Sequence, residues 1–561
     1  MKKIIVSLLI TKYLVISTLS ATPVSTAQLQ QRVDSLISLQ HSAGQPGGAI
    51  AIIHDGKLLL SKTFGLMNLE YNRPVEENTL FDIASVAKQF TAYAVWMLHS
   101  QGKLHLDDDI RLYLPQLPRY DYTITIRNLI QHTSGIASTD WLRLLSGMSL
   151  DEVWYQEDEF NIIKKYPTLN FEPGTSHVYS NAGYSLLAQI VESVSGMTFP
   201  EYSQKHIFRP MGMNHSFIKY SPEVYRENMA RGYGKSGEGF TDITSADEYS
   251  YGGGNIHTSL SDITQWAINL MSKQGKGHDF YLHAIEPYNT LQNGDTLNYT
   301  YGFYVRKHKE IKVVEHSGGV PGFRNNIMFC PNHKLAIIVL SNTETLSTRA
   351  LALGVAEFFL ADNIQETPAV TREETEVDPS LFFDYQGVYE MADGMELQFV
   401  AEKDTFWLVM PGDSRFQLFA ESDTHFFLKA FDAQCTFVRE PNGEVNQMIW
   451  HQRGSNVTSN RVEEIISVNK EQLPTFAGTY HHPTLNAAYP VTFENDTLTL
   501  HFPEIFSKYL GFNTSSLSHI NGDKFLTERM GVMEFTRDEN KKVNGFILRD
   551  IGRLQNVVFT L

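Results

Sequence analysis

The sequence has very little cysteine and lacks recognisable metal-binding spacings. Only Cys330 and Cys435 occur among 561 residues, so a framework of disulfide bonds is excluded as a source of stability. The two cysteines fall in different predicted domains, and each is expected to be a free, buried thiol. The tandem pair His481-His482 has no partner at a ligand-like spacing. No metal and no cofactor are therefore expected.

Positive charge is scarce relative to negative charge. The chain has 46 lysines and arginines against 63 aspartates and glutamates, a formal net charge of −17. Such an acidic surface argues against nucleic acid and anionic membranes as partners. The length indicates several domains, and a hydrophobic content of 42% is enough for a sizeable core. A small-molecule or short-peptide substrate fits this balance, and a homo-oligomer is left open.

Long apolar runs are confined to the first residues, which have the pattern of an export signal. Met1-Lys2-Lys3 precedes two apolar stretches, and small residues lie near Ala21 and Ala27. Lys12 interrupts the apolar run, whereas a membrane-spanning helix needs about 20 apolar residues. The prediction is a signal peptide over residues 1–27, no stable membrane anchor, and a periplasmic or secreted bacterial protein.

The most informative stretch is Ser85-Val86-Ala87-Lys88. It opens a segment, 85–101, that lacks glycine and proline and is predicted to be helical, with Gly102 as its C-cap. Residues three positions apart lie on one helix face, so the lysine can reach the serine hydroxyl and help remove its proton. Alone, the pattern is equally consistent with a capping serine and a solvated lysine. Three further Ser-x-x-Lys matches are interpreted as accidental; they begin at Ser100, Ser216 and Ser467.

A second candidate motif is Tyr179-Ser180-Asn181, the only Tyr-x-Asn in the chain. A lysine near a tyrosine stabilises the phenolate, so the pKa of Tyr179 is expected to fall toward the range of a working base. The amide of Asn181 offers a donor and an acceptor to a substrate amide. A helix predicted over 185–195 would hold this loop, although such residues more often form an ordinary surface turn when the motif stands alone.

The third candidate motif is His316-Ser317-Gly318-Gly319. It follows Ile311-Lys312-Val313-Val314, which is typical of a strand. A strand that ends in glycines lets a substrate backbone lie close along its edge. Taken alone, a histidine before glycines is more often structural.

The three motifs occur in one order, and here the chain resembles the penicillin-recognising serine hydrolases. The similarity is to the branch of class C β-lactamases, esterases and D-aminopeptidases, and it covers about residues 30–360. It includes Asn128-Leu129-Ile130-Gln131-His132-Thr133-Ser134-Gly135 and Gly252-Gly253-Gly254-Asn255-Ile256. The ordered trio is far more specific than any one of its members.

The resemblance implies a role for each motif residue. Ser85 would be the acylated nucleophile, Lys88 its proton partner, and Tyr179 the base in acylation and the acid toward the leaving group. Which of Lys88 and Tyr179 takes the first proton stays open. Asn181, His316, Gly318 and Gly319 would bind substrate, and the oxyanion hole would use the backbone N–H groups of Ser85 and Gly319.

One departure from the family pattern concerns the third motif. β-Lactamases and DD-peptidases usually carry Lys-Thr-Gly there, and the lysine helps to hold the substrate carboxylate. His316 is neutral or partly charged near pH 7, so carboxylate binding should be weaker unless Arg324 supplies a charge. The resemblance therefore favours a D-aminopeptidase-like hydrolase of small peptide amides or esters. The alternatives are a carboxylesterase or weak β-lactamase and, from another class, a poorly catalytic protein that binds or senses peptidoglycan fragments.

The C-terminal third differs in pattern and repeats internally. Short alternating segments predict antiparallel barrels, and Tyr385-Gln386-Gly387-Val388-Tyr389 is echoed by Phe476-Ala477-Gly478-Thr479-Tyr480. The predicted fold is an α/β (α+β) β-lactamase-like domain, with an antiparallel sheet and a helical lobe, followed by two antiparallel β-barrels. The predicted boundaries are 28–361 for the hydrolase domain, 362–380 for a solvated linker, 381–455 for one barrel, 456–471 for a second linker and 472–561 for the other barrel.

Overall fold

Six antiparallel strands form the central sheet of the N-terminal domain in this computed structural model. The structure describes residues 25–244, 248–286, 290–292, 294, 296–364, 372–391, 395–410, 414–452, 455–462 and 468–561. Numbered in chain order, the sheet strands are β1 (Gly48–His54), β2 (Lys57–Phe64), β12 (Tyr304–His308), β13 (Ile311–Val320), β14 (Phe323–Cys330) and β15 (Leu335–Ser341). Their spatial order is β12-β13-β14-β15-β1-β2. The hairpin predicted around Asp55-Gly56 is present as β1 and β2.

Both faces of this sheet are covered, which is why β1 and β15 are apolar without alternation. One face packs against helices α1 (Thr26–Ser38) and α10 (Thr348–Phe359). The other face contributes to a larger core shared with the helices inserted between β2 and β12. Burial of strand residues on both sides fixes the register of the sheet and therefore the position of its glycine-ended strand β13.

The inserted segment forms the helical lobe. Its helices are α2 (Lys88–Ser100), α3 (Ile126–Ile130), α4 (Thr139–Leu145), α5 (Gln156–Lys165), α6 (Asn181–Ser195), α7 (Phe199–Ser203), α8 (Leu260–Met271) and α9 (His278–Ala284). Short strands lie between them: β3 (Leu66–Asn68), β4 (Arg73–Pro74), β5 (Phe81–Asp82), β6 (Trp154–Tyr155), β7 (Phe217–Ile218), β8 (Tyr233–Ser236), β9 (Gly239–Asp242), β10 (Glu248–Tyr249) and β11 (Ile256–Thr258).

Two closed eight-stranded antiparallel barrels follow, which confirms the predicted fold class. Helix α11 (Ser380–Tyr385) precedes the first barrel, and α12 (Ile505–Leu510) lies within the second. The first barrel consists of β16 (Gly387–Glu390), β17 (Glu396–Glu402), β18 (Thr405–Met410), β19 (Ser414–Ala420), β20 (His425–Leu428), β21 (Gln434–Arg439), β22 (Val445–Gln452) and β23 (Ser455–Arg461). The second consists of β24 (Gly478–His481), β25 (Ala488–Glu494), β26 (Thr497–His501), β27 (Thr514–Asn521), β28 (Lys524–Thr527), β29 (Val532–Arg537), β30 (Val543–Ile551) and β31 (Leu554–Thr560).

The sequence repeat corresponds to one local structure at the start of each barrel. The Tyr389 hydroxyl donates a hydrogen bond of 3.1 Å to the carbonyl of Tyr385, four residues earlier. The Tyr480 hydroxyl donates a matching bond of 2.7 Å to the carbonyl of Phe476. Both tyrosines are fully buried, so their hydroxyls need an internal acceptor.

Both predicted linkers differ from the structure at one end. The sequence predicts a polar linker over 456–471, but β23 runs to Arg461 because the first barrel needs an eighth strand to close. In the linker predicted over 362–380, Arg372 pairs with Glu421 at 2.8 Å, and the Thr375 N–H donates to the carbonyl of Ala420. The described part of that segment is therefore attached to the first barrel rather than solvated throughout.

The second barrel shares a hydrophobic core with the helical lobe. Buried side chains of α4 and α5 join those of the barrel in one cluster. At this contact the Tyr489 hydroxyl donates to the carbonyl of Leu145 at 2.5 Å. Gly552, in the turn between β30 and β31, lies against the indole of Trp141. The barrel is thus packed onto the lobe rather than tethered beside it.

The remaining expectations concern membranes and cysteines. Among the residues that the structure describes, no helix is long and apolar enough to cross a membrane. The signal peptide predicted over 1–27 lies almost wholly outside the described residues and stays a prediction. Cys330 and Cys435 are both buried and unpaired.

Gly552→Ala should weaken the contact between the second barrel and the lobe. A Cβ at this position would lie 2.0 Å from a ring carbon of Trp141. Gly511→Ala is the matched control. Gly511 has a positive φ of 78°, similar to the 67° of Gly552, but no atom lies within 4 Å of the position that its Cβ would occupy. Both variants incur the strain of a left-handed residue, about 1–2 kcal/mol, and Gly552→Ala should lose more in urea unfolding. Equal losses would contradict the packing described.

Candidate active site

Ser85 lies in a strained turn that points its side chain into a cavity. Residues Ala84–Ala87 form a single 3₁₀ turn, and Ala84 has φ of +47°, a conformation that costs a non-glycine residue energy. The Asp82 carboxylate accepts a 2.8 Å bond from the Ala84 N–H, while the Asp82 carbonyl accepts from Asn325. The sequence predicts that the helix begins at Ser85, whereas α2 begins at Lys88. Ser85 and Lys88 still face each other across one turn.

The Lys88 amine is buried and makes three polar contacts. Its Nζ lies 2.9 Å from Asn181 Oδ1, 2.8 Å from the carbonyl oxygen of Gly253 and 3.3 Å from Ser85 Oγ. Burial lowers the pKa of Lys88 well below its ordinary value, and the guanidinium of Arg553 lowers it further. A neutral amine has two N–H donors and one lone pair. In the neutral form the two oxygen acceptors take both donors and the lone pair can face the Ser85 hydroxyl, whereas in the protonated form the amine donates to all three oxygens.

A glycine-rich loop and the start of a helix hold the two acceptors in place. Asn181 is the first residue of α6. The Gly252 carbonyl accepts a 2.7 Å bond from Thr91 Oγ1, on the same helix as Lys88. A Cβ on Gly252 would lie 2.3 Å from the Tyr184 carbonyl oxygen, so the loop packs directly on α6. In the sequence, residues 252–256 are marked only by the family resemblance. In the structure, this loop binds Lys88 through the carbonyl of Gly253.

Tyr179 lies on the other side of the lysine. Lys88 Nζ is 4.7 Å from the centroid of the Tyr179 ring, within the range of a cation–π contact if the amine is protonated. Burial raises the pKa of Tyr179 above its ordinary value, while a contact with the Ser85 hydroxyl opposes the rise. The expected net fall of this pKa is therefore wrong. Burial, which the sequence does not reveal, outweighs the neighbouring charges.

His316 is buried in strand β13 and is neutral. Its Nδ1 lies 2.7 Å from the carbonyl oxygen of Ser317, which can only accept, so Nδ1 carries the proton. Its Nε2, 3.1 Å from the Tyr299 hydroxyl, therefore accepts from that group. Burial and the nearby Lys88 lower the pKa of His316 to about 3. This position supplies no positive charge at neutral pH.

The glycines after His316 bring β13 against the Ser85 turn. A Cβ on Gly318 would lie 2.1 Å from the carbonyl oxygen of Ile83, so only glycine fits without movement. Gly319 lines the same cavity as Ser85, as an oxyanion hole formed by their two N–H groups requires. Arg324, considered as a substitute cation, is bound to Glu344 at 3.0 Å and to the carbonyls of Val320 and Phe323.

The cavity in front of Ser85 has a volume of about 880 Å³ and a mostly acidic wall. Asn181, Gly253 and Gly319 line it, and Lys508 and Tyr509 of the second barrel close one side. Six carboxyl side chains line it, against two cationic ones, Arg143 and Lys508; the six are Asp82, Asp140, Asp151, Glu159, Glu248 and Glu344. An acidic cavity raises the local concentration of cations and disfavours anionic ligands.

Two residues at the site were not predicted from sequence. His132 has φ of +57°, and its ring lies 4.2 Å from that of Tyr179, where its Nδ1 accepts from the Ser180 N–H. Its family motif was the only signal that could have found it. Arg553, from the second barrel, has its guanidinium carbon 4.8 Å from the Tyr179 ring centroid. No local pattern marks this arginine.

Across the described ranges, no three histidine, cysteine or carboxylate side chains are grouped closely enough to hold a metal ion. The site joins a hydroxyl, a buried amine and a phenol at a cavity. Such a set can carry out acyl transfer through a serine ester.

Comparison with known proteins places this geometry in a family. A family model described as Beta-lactamase matches residues 29–358, more than half of the chain. The chain belongs to the beta-lactamase family. A second model, described as a domain of unknown function (DUF3471), matches residues 371–464, which contain the first barrel. The predicted resemblance is confirmed.

Individual proteins similar to this chain include a penicillin-binding protein and a D-aminopeptidase. Penicillin-binding protein 4* of Bacillus subtilis (strain 168) is 29% identical over 413 residues, which are 70% of this chain and 90% of that protein. A D-aminopeptidase of Brucella anthropi is 26% identical over 318 residues, 55% of this chain but only 60% of the relative. The octameric penicillin-binding protein homologue from Pyrococcus abyssi superposes with a TM-score of 0.53 at 22% identity, over 77% of this chain and 99% of that one. The family and fold are those of serine hydrolases related to penicillin-binding proteins.

Glu159, on the cavity wall, should make stability fall as the pH rises. Burial raises its pKa from 4.5 to about 7, although Thr139 and Trp154 donate hydrogen bonds to it. Between these values the unfolded chain releases the proton and the folded protein keeps it, so ionisation favours unfolding. Glu159→Gln should therefore gain roughly 2–3 kcal/mol relative to wild type between pH 5 and pH 8.

Urea unfolding at several pH values measures this difference. Glu157→Gln, an exposed change on the same helix, is the control and should follow the wild-type pH dependence. A constant difference between Glu159→Gln and wild type across this range would show that Glu159 does not titrate as described.

Proposed function

We propose that the protein is an exported serine hydrolase that forms an acyl-enzyme on Ser85, most like a D-aminopeptidase in its substrates. One observation carries the proposal: the buried Lys88 amine lies with its Nζ 3.3 Å from the hydroxyl of Ser85, which lines a cavity. The family supports hydrolysis, and the named D-aminopeptidase relative supports the substrate class.

The proposed reaction transfers an acyl group in two steps. Ser85 Oγ bonds to the substrate carbonyl carbon while its proton passes to Lys88 or Tyr179. The tetrahedral oxygen is held by the N–H groups of Ser85 and Gly319, an interaction worth roughly 10²–10³ in rate per donor. Proton return to the leaving amine or alcohol releases it and leaves a serine ester. Water then attacks this ester and gives a proton to Lys88 or Tyr179. That proton passes to Ser85 Oγ as the ester bond breaks, and the acid is released.

The charges of the cavity favour a substrate with a free amine. Carboxyl groups outnumber cations on the wall and favour an ammonium group. Four of the six carboxyl groups are ion-paired, namely Asp140, Asp151, Glu248 and Glu344, and burial raises the pKa of Glu159, so Asp82 is the carboxylate with the least compensation. The neutral His316 does not attract the carboxylate that a lysine would hold in its place. These two observations support small amines over penicillins, whose carboxylate would be poorly bound. Asn181 and the edge of β13 at Gly318 and Gly319 would hold the substrate amide.

The location and assembly of the protein belong to the same proposal. The signal pattern over 1–27 supports export to the periplasm or the exterior. The Pyrococcus homologue is octameric and has a similar fold, which supports a homo-oligomer for this protein. A small-molecule or short-peptide substrate remains the proposed partner, with no cofactor in the reaction.

Ser85→Ala should abolish labelling by a serine-directed fluorophosphonate probe. The probe needs an activated hydroxyl, and the structure places the Lys88 amine beside Ser85. Ser100→Ala is the matched control, because Ser100 begins another Ser-x-x-Lys match but is bonded to the Met97 carbonyl at the end of α2. In-gel fluorescence and mass spectrometry of the labelled peptide measure the outcome. Labelling that persists in Ser85→Ala would remove this residue as the nucleophile.

D-Alanyl p-nitroanilide should be hydrolysed faster than its N-acetyl derivative by at least about tenfold. Acetylation removes the ammonium charge, and one lost charge interaction of about 1.4 kcal/mol is a factor of ten. Release of p-nitroaniline measures both rates. A preference for p-nitrophenyl acetate would instead identify an esterase. Tight binding of peptidoglycan fragments without turnover would identify a binding or sensor protein.

A further inference from the structure

The site described above lacks a positive charge at the place where the resemblance expects one. His316 stands where related enzymes carry a lysine, and its hydrogen bonds fix it as a neutral imidazole. A base such as Tyr179 works only if its deprotonated form is stabilised at the moment of proton transfer. Another cation near that ring would supply this stabilisation.

Arg553 is such a cation, and it comes from a different domain. Its guanidinium carbon lies 4.8 Å from the centroid of the Tyr179 ring. The residue occupies the turn between β30 and β31 of the second barrel. Its only ion pair among the described residues is with Asp140, at 3.5 Å, and its side chain stays 38% exposed. Its charge is therefore shared between Asp140, the solvent and the phenol ring.

The turn that carries Arg553 is held at both of its ends. Asn170 uses both ends of its amide: Nδ2 donates to the Arg553 carbonyl at 3.0 Å, and Oδ1 accepts from the Gln555 N–H at 3.0 Å. On the other side, Gly552 packs against Trp141. These contacts involve the backbone of the turn. A change of the Arg553 side chain leaves them in place.

The surroundings otherwise oppose a negative charge on Tyr179. The carboxyl groups of Asp140 and Glu159 face the site and favour the protonated amine and phenol. The imidazoles of His132, His177 and His316 are kept neutral by burial. The phenols of Tyr184, Tyr299 and Tyr304 also surround it. Within this set, Arg553 is the charge that favours the deprotonated phenol.

We propose that Arg553 is a positioning residue of the active site, supplied by the second barrel, whose guanidinium favours the deprotonated Tyr179 and the neutral Lys88 during acylation. The inference rests on the proposed function, since it assumes proton transfer from Ser85. Arg553 keeps its own protons throughout: the proton of Ser85 moves to Lys88 or Tyr179 and then to the leaving group. The barrel thus completes the charge pattern of the catalytic domain.

The test is the pH dependence of the second-order rate of Ser85 labelling by the fluorophosphonate, measured on the full-length protein. Removing the guanidinium in Arg553→Gln should raise the pKa of the proton acceptor, because deprotonated Tyr179 and neutral Lys88 both lose a favourable neighbour. The acidic limb of the pH–rate profile should shift to higher pH by about 1 unit. At any pH on that acidic limb, labelling should then be about tenfold slower than in the wild type.

Two further variants separate charge from structure. Arg553→Lys keeps a cation in reach of the ring and should retain most of the wild-type profile. Arg549→Gln removes an arginine from the same strand pair, where its guanidinium pairs with Glu534, and should leave the profile unchanged. Thermal melting establishes that each variant is folded at the temperature of the assay.

The outcomes distinguish this inference from the proposed function. A labelled wild type whose profile is unshifted in folded Arg553→Gln, or whose rate falls equally at every pH, overturns the role of Arg553 alone. Failure of Arg553→Lys to restore the profile overturns it as well. A wild-type protein that no probe labels at Ser85 overturns the proposed function and, with it, this inference.

Discussion

The hydrogen-bonding demand of one buried amine organises the active site. Removing Lys88 from water is costly unless its donors are satisfied and its charge is given up. Asn181 and Gly253 satisfy those donors, and each belongs to a different segment of the lobe. The start of α6, the glycine loop and the Ser85 turn must therefore meet at a single point. When both donors of the neutral amine are bonded in this way, its lone pair can accept the proton of Ser85.

The distribution of charge around this point supports the proposed preference for substrates that carry a free amine. Strand β13 presents a neutral imidazole at His316, and the cavity wall is acidic. The cation near Tyr179 is Arg553, which lies on the side of the barrel rather than on the strand that would bind substrate. In this arrangement a positive charge can act on the base without offering a partner on β13 to a substrate carboxylate.

Much of the fold and the motif residues could be predicted from sequence because their signals are local. The Asp55-Gly56 hairpin, the period-two strands and the repeated Tyr389 and Tyr480 all depend on neighbours within a few positions. The ordered motifs identified the residues that the structure brings together at Lys88. The 3₁₀ turn at Ser85 was missed because Ala84 adopts a conformation that its side chain does not favour.

Other features depend on tertiary packing, which no short pattern records. The rise in the pKa of Tyr179 comes from burial beneath segments distant in sequence. The strand that closes the first barrel, up to Arg461, is polar and resembles a linker. Arg553 stands in an ordinary turn, and only the docking of that turn on Trp141 and Asn170 gives it a place at the site.

The two bonds of Asn170 have a thermodynamic consequence for the whole molecule. They help to seat the second barrel, whose Lys508 and Tyr509 line the cavity, so the seating of the barrel and binding in the cavity are linked. Any compound that binds better when the turn is seated must strengthen that seating by the same factor, since such coupling is reciprocal. Occupancy of the cavity is thereby transmitted to a domain that holds none of the reacting atoms.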